Sequence, residues 1–175
     1  MATRLKDIKA FAFDVDGVMT DGSILALSNG DLLRIFDAKD GFAIRMAILA
    51  GYPVAVITGG RSHSIVERFK ASGIKEEDIY LHSRDKLQDF NDFCKRYGLE
   101  PADVVFVGDD LPDIPVMLAA GIGACPDDAA SDVQAIADYI SEAPGGKGCI
   151  RELFEKILKK QGRWNFDVSA YKNRF

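Results

Sequence analysis

Short apolar runs alternate with helix-like segments along most of the chain, and this alternation limits the fold more than any other feature. Each run is short and rich in valine, isoleucine, phenylalanine or alanine. Runs of this kind, separated by helices, are typical of a parallel sheet that is covered by helices on both faces. The alternation therefore predicts an α/β fold with a mainly parallel sheet. The runs read AFAFDVD, PVAVITG, VVFVGD, GIGAC and, more weakly, DYIS.

The segments between these runs show helical periodicity. Their apolar residues recur every three or four positions, which predicts amphipathic helices packed on the sheet. Glycines follow three of them, as they do at many helix ends. One helix is expected to start at Ser62 or Ser64, where Glu67 would complete a capping box with Ser64. The four segments read GFAIRMAILAG, SHSIVERFKASG, DKLQDFNDFCKRYG and GCIRELFEKILKK.

Residues 21–37 interrupt the alternation with a predicted β-hairpin after the first strand. Asn29 and Gly30 lie between two apolar arms, and this dipeptide strongly favours a hairpin turn. Both faces of the hairpin are partly apolar, so something outside the hairpin must bury at least one of them. The partner is either the rest of this domain or a second subunit. The apolar residues are Ile24, Leu25, Leu27, Leu32, Leu33, Ile35 and Phe36.

Composition narrows the class of protein. The chain has 175 residues, 47% hydrophobic and 28% charged, and no linker or low-complexity tract, so we expect one domain over residues 1–175. A net charge of −5 argues against nucleic acid as a partner. The sequence has neither an apolar stretch of membrane-spanning length nor a recognisable signal peptide. We therefore expect a cytoplasmic protein without a membrane partner.

The chain offers few ligands for zinc. Its three cysteines, Cys94, Cys125 and Cys149, have no CxxC spacing and are too few for a disulfide framework, so we expect reduced, partly buried thiols. Only two histidines are present. A zinc site is therefore not predicted.

Polar residues follow several predicted strands at the point where each strand ends. Asp14 and Asp16 end the first run, and Thr58 ends the second. Because the carboxyl ends of parallel strands meet at one edge of the sheet, where ligands bind in such folds, we expect these side chains to lie together. The third run adds Asp109, Asp110 and Asp113 to the same edge.

This concentration of carboxylates indicates a bound cation. Close carboxylates repel each other strongly at a protein-like dielectric. Oxygen ligands without clustered histidine or cysteine favour Mg²⁺, which in turn favours ligands that contain phosphate. Lys86, at the start of a predicted helix, supplies a compact positive charge for such a phosphate.

Four segments together resemble the motifs of the haloacid dehalogenase-like (HAD) phosphohydrolase superfamily. They are DVDGVMTDG, VITGG, Lys86 and GDDLPD, in this order, within residues 11–126. The resemblance implies a Rossmann-like fold in which Asp14 is the nucleophile that forms an aspartyl-phosphate. It implies that Asp16 is the general acid and then the general base, and that Thr58 and Lys86 orient and neutralise the phosphoryl oxygens.

The resemblance also implies a ligand set for Mg²⁺. The metal would be held by the Asp14 side chain, the Asp16 backbone carbonyl and Asp109. Asp113 would support Lys86 or a metal-bound water, and Asp110 would lie nearby. These roles agree with the chemistry, because a carboxylate can attack a phosphate only when positive charge offsets their repulsion.

The motif spacing leaves no room for the cap domain that many HAD enzymes carry. Only 24 residues separate Asp16 from Gly41, enough for the hairpin alone. The 27 residues between Thr58 and Lys86 are used by a helix, a short strand and a turn. A capless site either takes a macromolecular substrate or is closed by a neighbouring subunit, and the apolar hairpin favours a neighbour.

Most of the chain, up to Lys160, resembles one capless subfamily: the tetrameric 3-deoxy-D-manno-octulosonate 8-phosphate (KDO 8-phosphate) phosphatases of lipopolysaccharide synthesis. The resemblance rests on the hairpin, FDAKDGFAIR, the arginine after TGG, and PGGKGCIRELFEKIL. It implies a homotetramer in which a neighbour's loops and C-terminal tail, residues 161–175, help to close the pocket. It also implies substrate contacts from Gly59, Arg61 and Lys147, with Arg61 pairing with the sugar-acid carboxylate through two hydrogen bonds.

Two other functions share this scaffold. A sister branch acts on nine-carbon keto-acid 9-phosphates of sialic-acid type, but it favours an acidic residue and a lysine where this chain has Gly60 and Arg61. A non-catalytic HAD-like oligomerisation module is the second alternative. The complete set of aspartates with Thr58 and Lys86 favours the phosphatase of the eight-carbon sugar acid.

Overall fold

The computed structural model describes residues 4–175 and is built around a six-stranded sheet. Its strands are β1 (Ala10–Phe13), β4 (Val54–Ile57), β5 (Ile79–Tyr80), β6 (Val104–Val107), β7 (Ile122–Cys125) and β8 (Tyr139–Ile140), while β2 (Leu25–Ala26) and β3 (Leu32–Leu33) form a separate hairpin. The strand order is β5-β4-β1-β6-β7-β8, and every neighbouring pair is parallel. The predicted parallel α/β sheet is confirmed.

Helices cover both faces of this sheet. They are α1 (Ala38–Leu49), α2 (His63–Lys70), α3 (Lys86–Tyr97), α4 (Ile114–Ala119), α5 (Ser131–Ile136), α6 (Cys149–Lys160) and α7 (Val168–Arg174). The core on one face contains residues of α1, α2 and α6, and the core on the other contains residues of α3, α4 and α5. Within residues 4–175, every helix is too short or too polar to cross a membrane.

The central strand β1 shows why its sequence is apolar at every position. Phe11 and Phe13 belong to one core, Ala10 and Ala12 belong to the other, and all four are fully buried. Successive side chains of a strand point to opposite faces, and here both faces are covered. Phe11 packs on Phe154 of α6, with 4.1 Å between ring centroids. This packing fixes the end of β1, from which the first acidic motif emerges.

The predicted hairpin is present but lies outside the main sheet. Leu25 pairs with Leu33 and Ala26 with Leu32, and Gly30 in the turn has a φ of 91°, which suits glycine. Its outer apolar side chains are not covered by the chain itself, since Leu25 is 62% exposed and Ile35 is 85% exposed.

The C-terminal tail, which shows no helical period in the sequence, ends in the short helix α7 on the outer surface of α1. Phe42 of α1 packs against Phe166 and Tyr171, and the Arg45 guanidinium lies 4.9 Å from the centre of the Phe175 ring. The three cysteines are free and buried.

Candidate active site

A cavity of about 410 Å³ opens at the carboxyl edge of the sheet, where the sequence places its polar residues. Both aspartates after β1, the loops after β4 and β6, and the start of α3 contribute to it. The lining residues include Asp14, Asp16, Gly17, Thr58, Gly59, Gly60, Ser83, Arg84, Lys86, Asp109, Asp110 and Asp113. Eight of the ten site residues named in the sequence analysis line this cavity, including all five aspartates.

Asp14 and Lys86 form a buried ion pair on the floor of this cavity. Lys86 Nζ donates to Asp14 Oδ2 over 2.7 Å, and the Val15 amide donates to the other oxygen, Oδ1, over 2.6 Å. Burial and the nearby Asp113 raise the pKa of Asp14 to about 6 despite the opposing effect of Lys86. Burial lowers the pKa of Lys86, but Asp14 and Asp113 outweigh this effect and raise it overall. The lysine therefore stays charged beside the carboxylate.

Asp113 connects Lys86 to the loop after β6. Its Oδ1 accepts from Lys86 Nζ over 2.6 Å, and its Oδ2 accepts from the Asp109 amide over 3.0 Å. The Asp113 side chain is fully buried. Both of its oxygens are thus engaged, which places it as the support of Lys86 that the sequence suggests.

Asp109 carries an unpartnered oxygen. Within residues 4–175, Asp109 Oδ1 is the buried side-chain polar atom that lacks a hydrogen-bond partner. Burial, together with Asp14 and Asp113, raises the pKa of Asp109 to about 7. Gly17 allows this close approach, because a Cβ at that position would lie 2.0 Å from Asp109 Oδ2.

These carboxylates fit a hard divalent cation. Oxygen atoms of Asp14, Asp109 and Asp113 all lie within 4.8 Å of one another. An unpartnered buried carboxylate oxygen is costly, and a cation bound by oxygen ligands would satisfy it. The donor set therefore suits Mg²⁺, with Asp14 and Asp109 as the side chains that retain room for a metal.

Thr58 directly follows β4 and also lines the cavity. The residue is buried, its amide donates to the Tyr80 carbonyl over 3.0 Å, and its Oγ1 accepts from the Gly60 amide over 3.1 Å. The next two residues, Gly59 and Gly60, have no side chains and line the cavity with their backbone.

The structure does not bring Arg61 or Lys147 into the lining of this cavity. Arg61 is exposed just before α2. Lys147 is exposed near Asp21, whose pKa is lowered chiefly by hydrogen bonding with Ser23 and to a lesser extent by the Lys147 charge. Arg84, which the sequence analysis does not single out, lines the cavity instead. No simple pattern in the sequence marks Arg84, because its position depends on the turn at His82, which has a positive φ of 57°.

A second cation missed from the sequence is Arg34 in the hairpin. Its Nε donates to Asp16 Oδ1 over 2.6 Å, and its Nη2 donates to Asp16 Oδ2 over 2.9 Å. Its side chain is only 2% exposed. The sequence does contain one indication of this role. Arg34 lies between Leu33 and Ile35 in a predicted strand, so its side chain is expected on the opposite face from theirs.

Comparisons with known proteins agree with this geometry. Residues 36–121 match the family model described as haloacid dehalogenase-like hydrolase. The curated 3-deoxy-D-manno-octulosonate 8-phosphate phosphatase KdsC of Salmonella typhi is 35% identical over 161 residues, which is 92% of this chain and 85% of the relative. The chain belongs to the HAD-like hydrolases, in their KdsC branch. The resemblance predicted from the motifs is therefore confirmed.

Solved structures support the same HAD assignment. The KDO 8-phosphate phosphatase of Yersinia pestis has a TM-score of 0.90 and 34% identity, covering 93% of this chain and 87% of its own. That of Moraxella catarrhalis, in complex with magnesium, phosphate and KDO, has a TM-score of 0.89 and 34% identity, covering 98% and 95%. The Rossmann-like HAD fold without a cap domain is confirmed.

Proposed function

We propose that this protein is a Mg²⁺-dependent phosphatase that hydrolyses KDO 8-phosphate to KDO and phosphate, as in lipopolysaccharide synthesis. The observation that carries the proposal is the Asp14 carboxylate held beside Lys86 at the floor of the cavity, in a chain of the KdsC branch. The curated relatives carry the name of this activity, and the Moraxella catarrhalis structure contains magnesium, phosphate and KDO.

The residues of the cavity account for both halves of the reaction. Asp14 attacks phosphorus, a bond forms between its carboxylate oxygen and phosphorus, and the bond to the sugar oxygen breaks. Asp16 donates a proton to that leaving oxygen and then removes a proton from the water that hydrolyses the aspartyl-phosphate. Lys86 and Thr58 neutralise and orient the phosphoryl oxygens, so most of the catalysis is positioning and charge neutralisation.

Asp14 and Asp109, with the backbone carbonyl of Asp16, would hold the metal. When bound, Mg²⁺ supplies positive charge that lets a carboxylate approach a phosphate. Burial, and then the neighbouring carboxylates, raise the pKa values of Asp14 and Asp109, and the positive charge of a bound metal would favour their ionised forms.

The carboxylate of the sugar acid needs a cation near the phosphate site. Arg84 lines the cavity and is exposed, and it is absent from the ion pairs formed within residues 4–175. A guanidinium pairs well with a carboxylate through two hydrogen bonds. We assign this contact to Arg84, because Arg61 and Lys147 do not line the cavity.

Closure of the site is assigned to a neighbouring subunit in a homotetramer. The hairpin exposes its apolar side chains beside the cavity, and an apolar patch of this kind marks an interaction surface. A cytoplasmic location suits the three free, buried cysteines, because thiols stay reduced there.

The first test compares phosphate release from KDO 8-phosphate and from a nine-carbon keto-acid 9-phosphate, each with Mg²⁺. We expect kcat/KM to favour the eight-carbon substrate by at least about tenfold, which is about 1.4 kcal/mol of transition-state discrimination. The reverse preference would move the protein to the sialic-acid branch. Turnover of neither substrate, nor of any other phosphate ester, would leave the oligomerisation module as the function.

A second test asks which arginine reads the carboxylate. Arg84→Ala is expected to raise KM for KDO 8-phosphate by about tenfold, because it removes a charge-assisted hydrogen bond. KM for an alkyl phosphate without a carboxylate should change much less. Arg61→Ala is the matched variant outside the cavity lining, and an equal or larger effect from it would transfer the role to Arg61.

A further inference from the structure

The second arm of the hairpin buries an arginine side chain between two exposed apolar residues, which reverses the usual pattern of a strand at the surface. Leu33 is 46% exposed and Ile35 is 85% exposed, while the Arg34 side chain between them is 2% exposed. Alternate residues of an extended segment point to opposite sides, so the inner side of this arm presents Arg34 to the domain. Long charged side chains are seldom buried unless they are paired.

The partner of Arg34 is the proposed general acid and base. Two hydrogen bonds, from Nε and Nη2, join the guanidinium to the two carboxylate oxygens of Asp16. No other side chain within residues 4–175 donates to that carboxylate. Paired hydrogen bonds of this type fix the plane of the carboxylate as well as its position.

Each of the three guanidinium nitrogens of Arg34 already makes a hydrogen bond within the chain. Its third nitrogen, Nη1, lies 3.4 Å from the Leu32 carbonyl, and Arg34 is not among the residues that line the cavity. Asp16, in contrast, lines the cavity, and its side chain is 27% exposed. An effect of Arg34 on the reaction would therefore pass through the Asp16 carboxylate, to which two of its nitrogens are bonded.

We propose that Arg34 is a positioning residue, which the hairpin delivers to hold the Asp16 carboxylate in the orientation for proton transfer. The inference rests on the proposed phosphatase activity. A carboxylate offers about four lone-pair sites, so the two taken by Arg34 leave one on each oxygen for the transferred proton. The hairpin is thus part of the catalytic apparatus as well as a surface for contact with a neighbour.

The first experiment varies the leaving group of the substrate. Arg34→Ala should lower kcat/KM for KDO 8-phosphate, or for another alkyl phosphate, by about 100-fold, because the proton donor is misplaced. For p-nitrophenyl phosphate, whose leaving group departs as a stable anion, the loss should be below about tenfold. Using kcat/KM confines the comparison to steps up to the aspartyl-phosphate. Equal losses for both substrates would overturn the proposal.

The second experiment repeats Arg34→Ala in an Asp16→Asn background. If Arg34 acts through Asp16, the two losses are not additive and the effect of Arg34→Ala largely disappears. A loss that persists in full would show direct contact with the substrate or a structural role, and would also overturn the proposal. Arg34→Lys keeps the positive charge but cannot donate two parallel hydrogen bonds to one carboxylate. It should therefore be more active than Arg34→Ala but less active than the wild type.

Two controls keep the result interpretable. Asp31→Ala removes a side chain that bonds within the exposed turn, so it tests loosening of the hairpin alone and should leave kcat/KM unchanged. Circular dichroism of each variant reports folding. Because the leaving-group series uses simple phosphate esters, failure on KDO 8-phosphate alone would reject the proposed substrate without touching the role of Arg34.

Discussion

At the scale of single residues, the site gathers buried carboxylates whose ionised forms are unfavourable in the absence of a cation. Asp14, Asp109 and Asp113 converge within a few ångströms, while Lys86 supplies one positive charge among them. Burial is the largest cause of the raised pKa values of Asp14 and Asp109, and the neighbouring carboxylates add to it. The metal-free protein is therefore predicted to be less stable when these groups are ionised.

Asp109→Asn tests this prediction through pH. The pKa of Asp109 is about 7 in the folded protein, against a usual value of 3.8. Between these values the folded state binds more protons than the unfolded state, so the free energy of unfolding of the metal-free protein falls as pH rises from about 4 to about 7. Asp109→Asn has no carboxylate to ionise at this position, so its free energy of unfolding should not fall in this way. In EDTA at pH 8 its Tm should exceed that of the wild type by a few degrees, since about 1 kcal/mol shifts the Tm of a protein of this size by about 2–4 °C.

The same measurement has an internal comparison. Near pH 4 the metal-free proteins should have similar Tm values, and Mg²⁺ should raise the Tm of the wild type more than that of the variant. Asp110→Asn, at the exposed neighbouring carboxylate, controls for a general effect of removing one negative charge. A lower Tm for Asp109→Asn than for the wild type in EDTA at pH 8 would contradict the electrostatic account.

At the scale of elements, the sequence predicted those parts whose local pattern and burial agree. β1, β4 and β6 are apolar at every position because both faces of the sheet are covered. The polar residues that follow these strands were therefore recognisable in the sequence as candidates for the site. The hairpin followed from its turn residues. Helix α2 does begin after Ser62, but the predicted capping box is absent, since the Ser64 hydroxyl lies 2.7 Å from that of Ser62.

The elements that sequence patterns missed depend on contacts between distant segments. Helix α7 shows no amphipathic period because its order comes from aromatic packing on α1, through Phe42 and Tyr171. The placement of Arg34 beside Asp16 and of Arg84 in the cavity lining likewise depends on where the hairpin and the loop before α3 lie on the sheet. A charged residue in either segment is, from the sequence alone, indistinguishable from one on a solvated surface.

One buried side chain shows how elements far apart in sequence set the shape of the site. Asp40, in the first turn of α1, accepts from the amides of Gly148 and Arg151 and so caps the start of α6. The loop that precedes α6 packs closely on the first acidic motif, since a Cβ at Gly145 would lie 2.0 Å from the Gly17 carbonyl oxygen. Gly145 and Gly146 of this loop are thus required by packing against the backbone of the first acidic motif.

At the scale of the whole molecule, the hairpin is joined to the cavity through the ion pair of Arg34 with Asp16. Within the described residues, the tail packs on α1 and contributes nothing to the cavity lining, so the chain does not close its own site with its C-terminus. The uncovered apolar side chains lie on the same hairpin that carries Arg34. Association through this surface would therefore both cover the hairpin and hold Arg34 against Asp16.

Leu25→Asp tests whether assembly supports activity. Leu25 is 62% exposed in the single chain, so an aspartate there should leave the fold intact but place a charge in the proposed contact between subunits. We expect light scattering at micromolar concentration to show a tetramer for the wild type and smaller species for the variant. We also expect kcat/KM to fall by about tenfold or more, equivalent to about 1.4 kcal/mol. Without the neighbouring subunit the cavity would stay open, and the hairpin would no longer hold Arg34 firmly against Asp16. Leu118→Asp, at a leucine of α4 that is 66% exposed, is the matched control and should preserve both mass and activity. A fully active wild-type monomer would refute the coupling between assembly and catalysis.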